Sequence, residues 1–255
     1  MKTSSLLAKL SKRFPKRLAK VWGDYVGLMV GKLPNEVNRI VLCLDFDRFI
    51  YEEAKAFNPD LIITHHPFIY GKRDEVLNSD HSKRWLYERL MKDNIPIYSM
   101  HTNFDDGIGG MNDALCAKLN LKDWYTPFSC PSMRIGYLEK EMSVEEFSRY
   151  AKECLNVSYG LLVKGNDRPI RKVGIVGGGG SYFYRTAIEE GCDIYISGDV
   201  SHHTRREILI EDFNYLDLPH EIEKVFMPTM KELLESFDPS LEILIIDHEK
   251  EPSVI

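Results

Sequence analysis

The feature that most constrains the fold is an alternation of short apolar runs with segments of helical periodicity. Strand-like runs occupy residues 38–46, 61–64, 95–100, 172–176, 194–197 and 241–246. Helix-like segments occupy residues 49–57, 82–92, 111–119, 144–155, 182–190 and 220–237. Such alternation predicts β-α-β units around buried, mostly parallel sheets, so the expected fold class is α/β.

A turn-rich break bracketed by Pro127 and Pro131 interrupts this pattern, which then resumes. We therefore predict two similar α/β lobes, residues 1–126 and 127–255, that form one compact unit. A length of 255 residues is sufficient for one or two domains with a substantial core.

The charge balance argues against broad binding to a nucleic-acid backbone. The chain has 33 basic and 39 acidic side chains, a formal net charge of −6. Residues 9–20 form the one basic-rich stretch. We interpret it as a solvated helix face; the alternative is a site for anionic lipid or nucleic acid.

The cysteines and the apolar runs indicate a reduced, cytoplasmic protein. Five cysteines are scattered without a CxxC pair, so neither a disulfide framework nor a thiolate zinc site is expected. No apolar run approaches the roughly 20 residues that span a bilayer, so no membrane partner is expected. The N-terminal segment lacks the long apolar core of a secretory signal.

Polar or glycine-rich groups follow several predicted strands at their carboxyl ends. They are His65-His66-Pro67, the segment 101–105, Gly177–Gly180 and Gly198-Asp199. In open α/β sheets, ligand sites gather at this edge.

The pair His65-His66 is the first candidate metal-binding element. Pro67 restricts His66 to extended backbone, and neighbouring residues of a strand point to opposite sides. Both imidazoles therefore reach one ion only if the strand ends and bends there, whereas two nearby ions relax that requirement. The alternative is a pair of histidines that hydrogen-bond to backbone.

The segment HTNFDDGIGG strengthens the metal interpretation. His101 and Asp105 lie at i and i+4 around an expected loop, and the carboxylate of Asp105 has two oxygens that can bridge two cations. Imidazole suits Zn, Fe, Ni and Mn. Asp106 is expected to cap the following helix or stay solvated.

The segment PHEIEK supplies a third cluster at a predicted helix start. His220 and Glu223 are three residues apart and share a helix face, so they can bind the same ion. Glu221 is expected to point elsewhere as a solvated first-turn carboxylate. The alternative for the whole segment is an ordinary helix start.

The run Gly177–Gly180 favours a tight strand-to-helix turn over a phosphate cradle. No Lys-Ser/Thr pair follows it, and it lacks the spacing of a dinucleotide fingerprint. No GxSxG elbow occurs either, which argues against a serine hydrolase of that type.

The histidine and carboxylate clusters, in this order, resemble the Nif-three-like family of dinuclear-metal-centre hexameric proteins, often called GTP cyclohydrolase I type 2 homologues. The supporting segments are WGDYVGL (22–28), ITHHPFIY (63–70), YSMHTNFDDGIGGMNDALCAKLNL (98–121) and VGIVGGGGSYFYRTAIEEGCDIYISGDVSHH (173–203).

The resemblance implies a homohexamer with two divalent metal ions (Zn, Fe, Mn or Ni) between the two lobes of each subunit. The implied metal ligands are His65, His66, Asp105, His220 and an acidic partner. His101 matches a histidine close to the metals, a candidate for proton transfer. The family usually has Gly-His with Glu four residues after the histidine. Here Pro219 replaces the glycine and position 224 is Lys, so Glu223 is the best substitute.

This chemistry suggests metal-assisted hydrolysis of a small phosphorylated or nucleotide-like substrate, because two cations can activate water and stabilise the leaving oxygen. The alternative is a non-catalytic, metal-binding hexameric scaffold or regulatory protein.

Overall fold

The computed structural model describes residues 1–253 and 255. Its strands are β1 (Gly27–Val30), β2 (Arg39–Cys43), β3 (Leu61–Thr64), β4 (Ile97–Ser99), β5 (Lys122–Tyr125), β6 (Arg134–Met142), β7 (Leu161–Val163), β8 (Ile170–Ile175), β9 (Ile194–Ser197), β10 (Asn214–Asp217) and β11 (Glu242–Ile245).

The α-helices are α1 (Thr3–Arg13), α2 (Arg17–Val21), α3 (Tyr51–Ala56), α4 (Arg73–Ser79), α5 (His81–Asp93), α6 (Thr102–Asp106), α7 (Met111–Lys118), α8 (Val144–Cys154), α9 (Tyr184–Glu189), α10 (His202–Ile210) and α11 (Phe226–Phe237). Two 3-10 helices span Ser181–Phe183 and His220–Val225.

The first compact unit comprises Met1–Gly110 and Phe226–Glu249. Its sheet has the order β1-β4-β3-β2-β11, with β1 antiparallel to β4 and all other pairs parallel. Successive residues of β2 and β3 are fully buried, as expected for central parallel strands covered on both faces. The carboxyl ends of β3 and β4 lie side by side, since Thr64 pairs with Ser99.

The second unit comprises Met111–Val225 and Lys250–Ile255. Its sheet has the order β5-β6-β8-β9-β10-β7, in which β8, β9 and β10 are parallel and the outer pairings are antiparallel. A capping box between Ser143 and Glu146 starts α8, which buries Val144, Phe147 and Ala151. The α/β class predicted from the alternating pattern is confirmed, with parallel strands at the centre of both sheets.

The division of the chain differs from the predicted lobes 1–126 and 127–255. Strand β11 pairs in parallel with β2, with Ile243 opposite Ile40, so the C-terminal helix and strand belong to the first unit. Helix α7 belongs to the second unit, which therefore begins at Met111. A sequence break marks a turn, but strand pairing between distant segments decides which unit a segment joins.

Two local elements also differ from expectation. Residues 102–106 form the short helix α6 rather than a loop, because the carbonyl of His101 accepts hydrogen bonds from the backbone of Phe104 and Asp105. The predicted helix 220–237 begins as a 3-10 helix and becomes α-helical only at Phe226. Across residues 1–253 and 255, no helix combines the length and apolar character needed to cross a membrane.

Candidate metal centre

The first two candidate ligands lie just beyond the carboxyl end of β3. The strand ends at Thr64, and the backbone bends so that the rings of His65 and His66 lie 5.0 Å apart and tilted by 47°. The Thr64 hydroxyl donates to the carbonyl of His66 at 2.8 Å, which helps hold this bend. The bend that sequence reasoning required for a shared site is therefore present.

His101 joins the same cluster from the end of the neighbouring strand β4. Its ring lies 5.1 Å from that of His65 and 5.6 Å from that of His66. One ring nitrogen from each of the three histidines lies within 4.8 Å of the other two. The pairing of β3 with β4 thus brings together imidazoles separated by 35 residues in sequence.

Asp105 adds a carboxylate to the three imidazoles. It lies on α6, one helical turn after His101, and its Oδ1 lies 3.6 Å from Nε2 of His65. Its side chain is only 14% exposed. The first unit therefore assembles four of the predicted site residues, His65, His66, His101 and Asp105, in one place.

The outer ring nitrogens of these histidines are all held by oxygen atoms. Nδ1 of His65 lies 2.9 Å from the carbonyl of Met100, that of His66 lies 2.6 Å from Asp45, and that of His101 lies 2.8 Å from Asp24. A carbonyl or an ionised carboxylate only accepts, so each Nδ1 carries the proton. In the neutral ring, Nε2 then presents the lone pair.

The two aspartates that hold His66 and His101 are kept ionised. Burial alone would raise the pKa of Asp24, but hydrogen bonds from His101, Thr102 and the Tyr25 backbone outweigh it and lower this pKa. Burial likewise opposes ionisation of Asp45, and the contact with His66 together with the charge of Lys83 lowers its pKa. Both carboxylates are therefore acceptors at neutral pH.

Aromatic side chains close one side of this cluster. The ring of Phe226 lies 5.2 Å from that of His65 and 5.1 Å from that of Phe104, and all three residues are fully buried. An apolar wall lowers the local dielectric, which strengthens any interaction between the polar groups and a bound cation.

In the second unit, His220 and Glu223 lie at the start of the 3-10 helix. Nε2 of His220 lies 3.1 Å from Oε2 of Glu223, whose side chain is 5% exposed. In a 3-10 helix the side chains of residues i and i+3 lie directly above one another, so His220 and Glu223 lie on the same side of this helix. The carboxylate at position 223 therefore lies beside the imidazole of His220.

Nδ1 of His220 is also held by a carboxylate, at 2.6 Å from Oδ2 of Asp199. Asp199 follows β9 with a positive φ of 57°, a conformation that Asp tolerates better than most residues. All four predicted site histidines therefore share the same anchoring of Nδ1.

Gly178 provides the space that His220 and Glu223 occupy. Its φ is +62°, and a Cβ at this position would overlap the Glu223 carboxylate and lie 3.0 Å from Nε2 of His220. The glycine run after β8 is therefore a tight turn, as predicted, and it also allows close approach of two candidate ligands.

Several residues of the site were not singled out by sequence reasoning. The Nδ1 partner Asp45 gave no signal, while Asp24 and Asp199 occurred only within longer motifs. Asp106, expected to cap a helix or stay solvated, accepts a hydrogen bond from the indole of Trp22 at 2.9 Å. A search for acidic residues at strand ends would have found Asp45, which follows β2 by two residues.

The donor set fits divalent transition metals. Each imidazole directs Nε2 away from an oxygen that holds Nδ1, which is the usual arrangement of metal-ligating histidines. Carboxylates lie next to these nitrogens in both units, at His65 and at His220. Nitrogen and oxygen donors of this kind suit Zn, Fe, Mn and Ni.

The fold and these clusters define a two-sheet α/β protein with a candidate metal centre built from histidines and carboxylates. The Duf34/NIF3 (NGG1p interacting factor 3) family matches residues 1–252, and the chain belongs to this family. The resemblance inferred from the sequence motifs is thereby confirmed.

The chain is also similar to curated relatives along almost its whole length. A GTP cyclohydrolase 1 type 2 homolog from Lactococcus lactis is 32% identical over 252 residues, 95% of each chain. A protein of the same name from Methanocaldococcus jannaschii is 30% identical over 253 residues, which cover 97% of this chain and 100% of that one.

Solved structures share the fold. A NIF3-related protein from Bacillus cereus has a TM-score of 0.88 at 20% identity, covering 100% of this chain and 99% of that one. Reduced HcgD from Methanocaldococcus jannaschii has a TM-score of 0.80 at 26% identity, and the match covers 96% of this chain and 97% of that one.

Proposed function

We propose that this protein is a dinuclear metal-dependent hydrolase of a small phosphorylated or nucleotide-like substrate. The observation that carries the proposal is the anchoring of Nδ1 in His65, His66, His101 and His220 by oxygen acceptors. This anchoring leaves Nε2 of His65, His66 and His220 available as metal ligands and Nε2 of His101 available for proton transfer. The name GTP cyclohydrolase 1 type 2 homolog, carried by relatives, supports a substrate of this class.

The proposed metal ligands are His65, His66 and Asp105 in the first unit and His220 and Glu223 in the second. A total of two divalent ions per chain, held by both sets, is the expectation from the family resemblance. When bound, such ions would supply Lewis-acid chemistry and an activated water for hydrolysis.

His101 is proposed as the proton-transfer residue. Asp24 accepts from its Nδ1 and from the hydroxyl of Thr102, and the Asp24 side chain is 3% exposed, so the imidazole is held in one orientation. Nε2 is then the atom at which a proton is taken up or released. The ionised Asp24 would stabilise the ring when it becomes positively charged.

The test combines metal analysis with turnover. Protein purified without chelator should contain close to two transition-metal ions per chain and hydrolyse at least one member of a panel of nucleotides and phosphoesters. His101→Gln should keep both ions and lose most of the turnover, whereas loss of metal in this variant would make His101 a ligand instead. Failure to take up Zn, Fe, Mn or Ni would reject the dinuclear centre.

A fully metal-loaded protein that turns over nothing in the panel would favour the non-catalytic scaffold over the hydrolase.

We further propose a homohexamer, for which light scattering should give a mass near six times 29.5 kDa. A strict monomer across micromolar concentrations would reject it. We also propose a cytoplasmic location, supported by the odd number and scattered spacing of the five cysteines, which include no CxxC pair.

A further inference from the structure

A cavity of about 630 Å³ lies in the first unit beside the His101–Asp24 pair. Its walls come from α2, the segment around β1 and the loop that follows His65-His66. The carboxylate of Asp24 lines the cavity and accepts from Nδ1 of His101 at 2.8 Å. The volume is in the range of cavities that bind small molecules and cofactors.

The lining of this cavity is strongly cationic. Lys16, Arg17, Lys20 and Arg73 line it, and Asp24 is the one carboxylate among the lining residues described. Within residues 1–253 and 255, no carboxylate lies at ion-pair distance from Lys16, Arg17 or Lys20. The charge of Asp24 is already engaged by His101, Thr102 and the Tyr25 backbone.

One of these cations is held in place by the adjacent strand. The Lys16 ammonium lies over Gly27, where a Cβ would overlap it, and 5.5 Å from the centroid of the Tyr98 ring. A lysine fixed by a cation–π contact loses less conformational entropy when it binds an anion. The basic side chains of the stretch 9–20 are exposed, as expected for a solvated helix face, and three of them, Lys16, Arg17 and Lys20, also line the cavity.

The cavity also offers an apolar surface beside the cations. Tyr25 is 41% exposed and Leu28 43% exposed, and both line it. The ring of Tyr25 packs edge-on against that of Tyr70, with centroids 5.6 Å apart, which fixes its orientation. An exposed, oriented aromatic ring is a surface on which a planar heterocycle can stack.

We propose that this cavity binds a nucleotide, with its phosphate chain on Lys16, Arg17 and Lys20 and its base against Tyr25. Arginine and lysine are the side chains that recognise phosphate, by a bidentate fork and a point charge respectively. This site is separate from the candidate metal ligands, none of which lines the cavity. Asp24 lies between the cavity and His101, whose Nδ1 faces Asp24 and whose Nε2 points away from it.

The test measures binding of GTP, inorganic triphosphate and guanosine by calorimetry to protein stripped of metal with chelator, at low ionic strength. Lys16→Gln/Lys20→Gln should bind GTP and triphosphate about tenfold or more weakly, since charge-assisted contacts are removed. The control Lys12→Gln/Lys32→Gln makes the same change of net charge at exposed lysines outside the cavity and should leave binding unchanged.

Tyr25→Ala separates the two parts of the ligand. It should weaken GTP while leaving triphosphate unaffected, because only the base contacts the ring. Equal weakening by the cavity pair and the control pair, or no weakening by either, would overturn the assignment. Binding without turnover of any compound would reject the hydrolase and keep the nucleotide site, whereas turnover with GTP binding insensitive to these variants would reject the nucleotide site alone.

Discussion

The candidate ligands of the two units are anchored alike but supported differently. In the first unit, His101 is held by Asp24, which is 3% exposed and fixed by three further hydrogen bonds. In the second unit, His220 is held by Asp199, which is 60% exposed and has a positive φ. The first cluster is therefore set by packed strand ends, whereas the second depends on local backbone geometry.

Replacing Asp105 is expected to have the largest effect, because its carboxylate has two oxygens and would contact both of the proposed ions. Asp105→Ala removes a negative charge from a site proposed to hold two dications, and their mutual repulsion should expel at least one ion per chain. Elemental analysis of the purified variant measures this loss. The neighbouring variant Asp106→Ala removes an equal charge next to Trp22 and should keep both ions. Full occupancy in Asp105→Ala would show that the carboxylate is structural.

The second-unit pair should lose less metal. His220→Ala should release mainly one ion, since an imidazole nitrogen binds a single metal, and Glu223→Ala should behave in the same way. Glu221→Ala should retain both, because Glu223 rather than Glu221 is the buried carboxylate beside His220. The metal content per chain of the three variants shows which glutamate is the second-unit ligand. Loss of metal in Glu221→Ala with retention in Glu223→Ala would show that Glu221, and not Glu223, is that ligand.

The same contrast explains how far the sequence was informative. The first cluster was predictable, because His65, His66 and His101 follow apolar strands whose carboxyl ends meet in a parallel sheet. The pairing of His220 with Glu223 followed from helical spacing. Sequence alone did not show that a 3-10 helix creates this pairing or that Gly178 provides the space for it, because both depend on contacts between the turn after β8 and a segment over 40 residues later.

The unit boundaries and the cavity were not predictable for a related reason. Strand β11 could be recognised as a strand, but nothing in its apolar pattern indicates which sheet it joins. The basic stretch 9–20 contains cavity-lining and non-lining residues in close succession, and only the turn between α1 and α2 separates them. Local sequence patterns therefore specify helices and strands, whereas packing of the folded chain decides which distant segments contact one another.

Gly178→Ala tests whether backbone geometry supports the second cluster. The added Cβ meets the end of the Glu223 side chain and the His220 ring, so these groups must shift. Positive φ alone should cost about 1 kcal/mol of unfolding free energy. Gly191→Ala is the matched control, because its φ is +70° and a Cβ there meets nothing within 4 Å. Gly191→Ala should lose only the cost of the positive φ in denaturant titrations, and Gly178→Ala should lose more, because Glu223 and His220 must also move.

Metal affinity should distinguish the two glycine variants. Displacing a ligand carboxylate should weaken metal binding about 10- to 100-fold, the effect typical of a disturbed ligand environment. Competition with a chromogenic chelator measures this in Gly178→Ala, Gly191→Ala and the unaltered protein. Equal affinities in all three would show that the second cluster does not depend on the Gly178 turn.

The smallest expected effect concerns one carboxylate from each unit, Asp217 and Asp45, whose pKa shifts have opposite signs. Burial and the nearby charge of Asp199 raise the pKa of Asp217 to about 6, against 3.8 for the ordinary side chain, and a hydrogen bond from the Val200 backbone only partly offsets this. Asp45 in the first unit has a lowered pKa instead. The folded protein should therefore favour protonation of Asp217 and ionisation of Asp45.

Between pH 4 and pH 6, the folded state holds more protons on Asp217 than the unfolded state, so this group should make stability fall as pH rises. Asp217→Asn keeps an acceptor for Val200 and should stabilise the metal-stripped protein at pH 7.5 by about 1 kcal/mol, after discounting for solvent screening. The Tm of Asp217→Asn should then be about 2–4 °C higher than that of the unaltered protein at pH 7.5 and unchanged at pH 4. Asp45→Asn should have a lower Tm at pH 7.5, because it removes a carboxylate charge that His66 and Lys83 stabilise. A shift of the same sign in both variants would contradict the electrostatic difference between these two carboxylates.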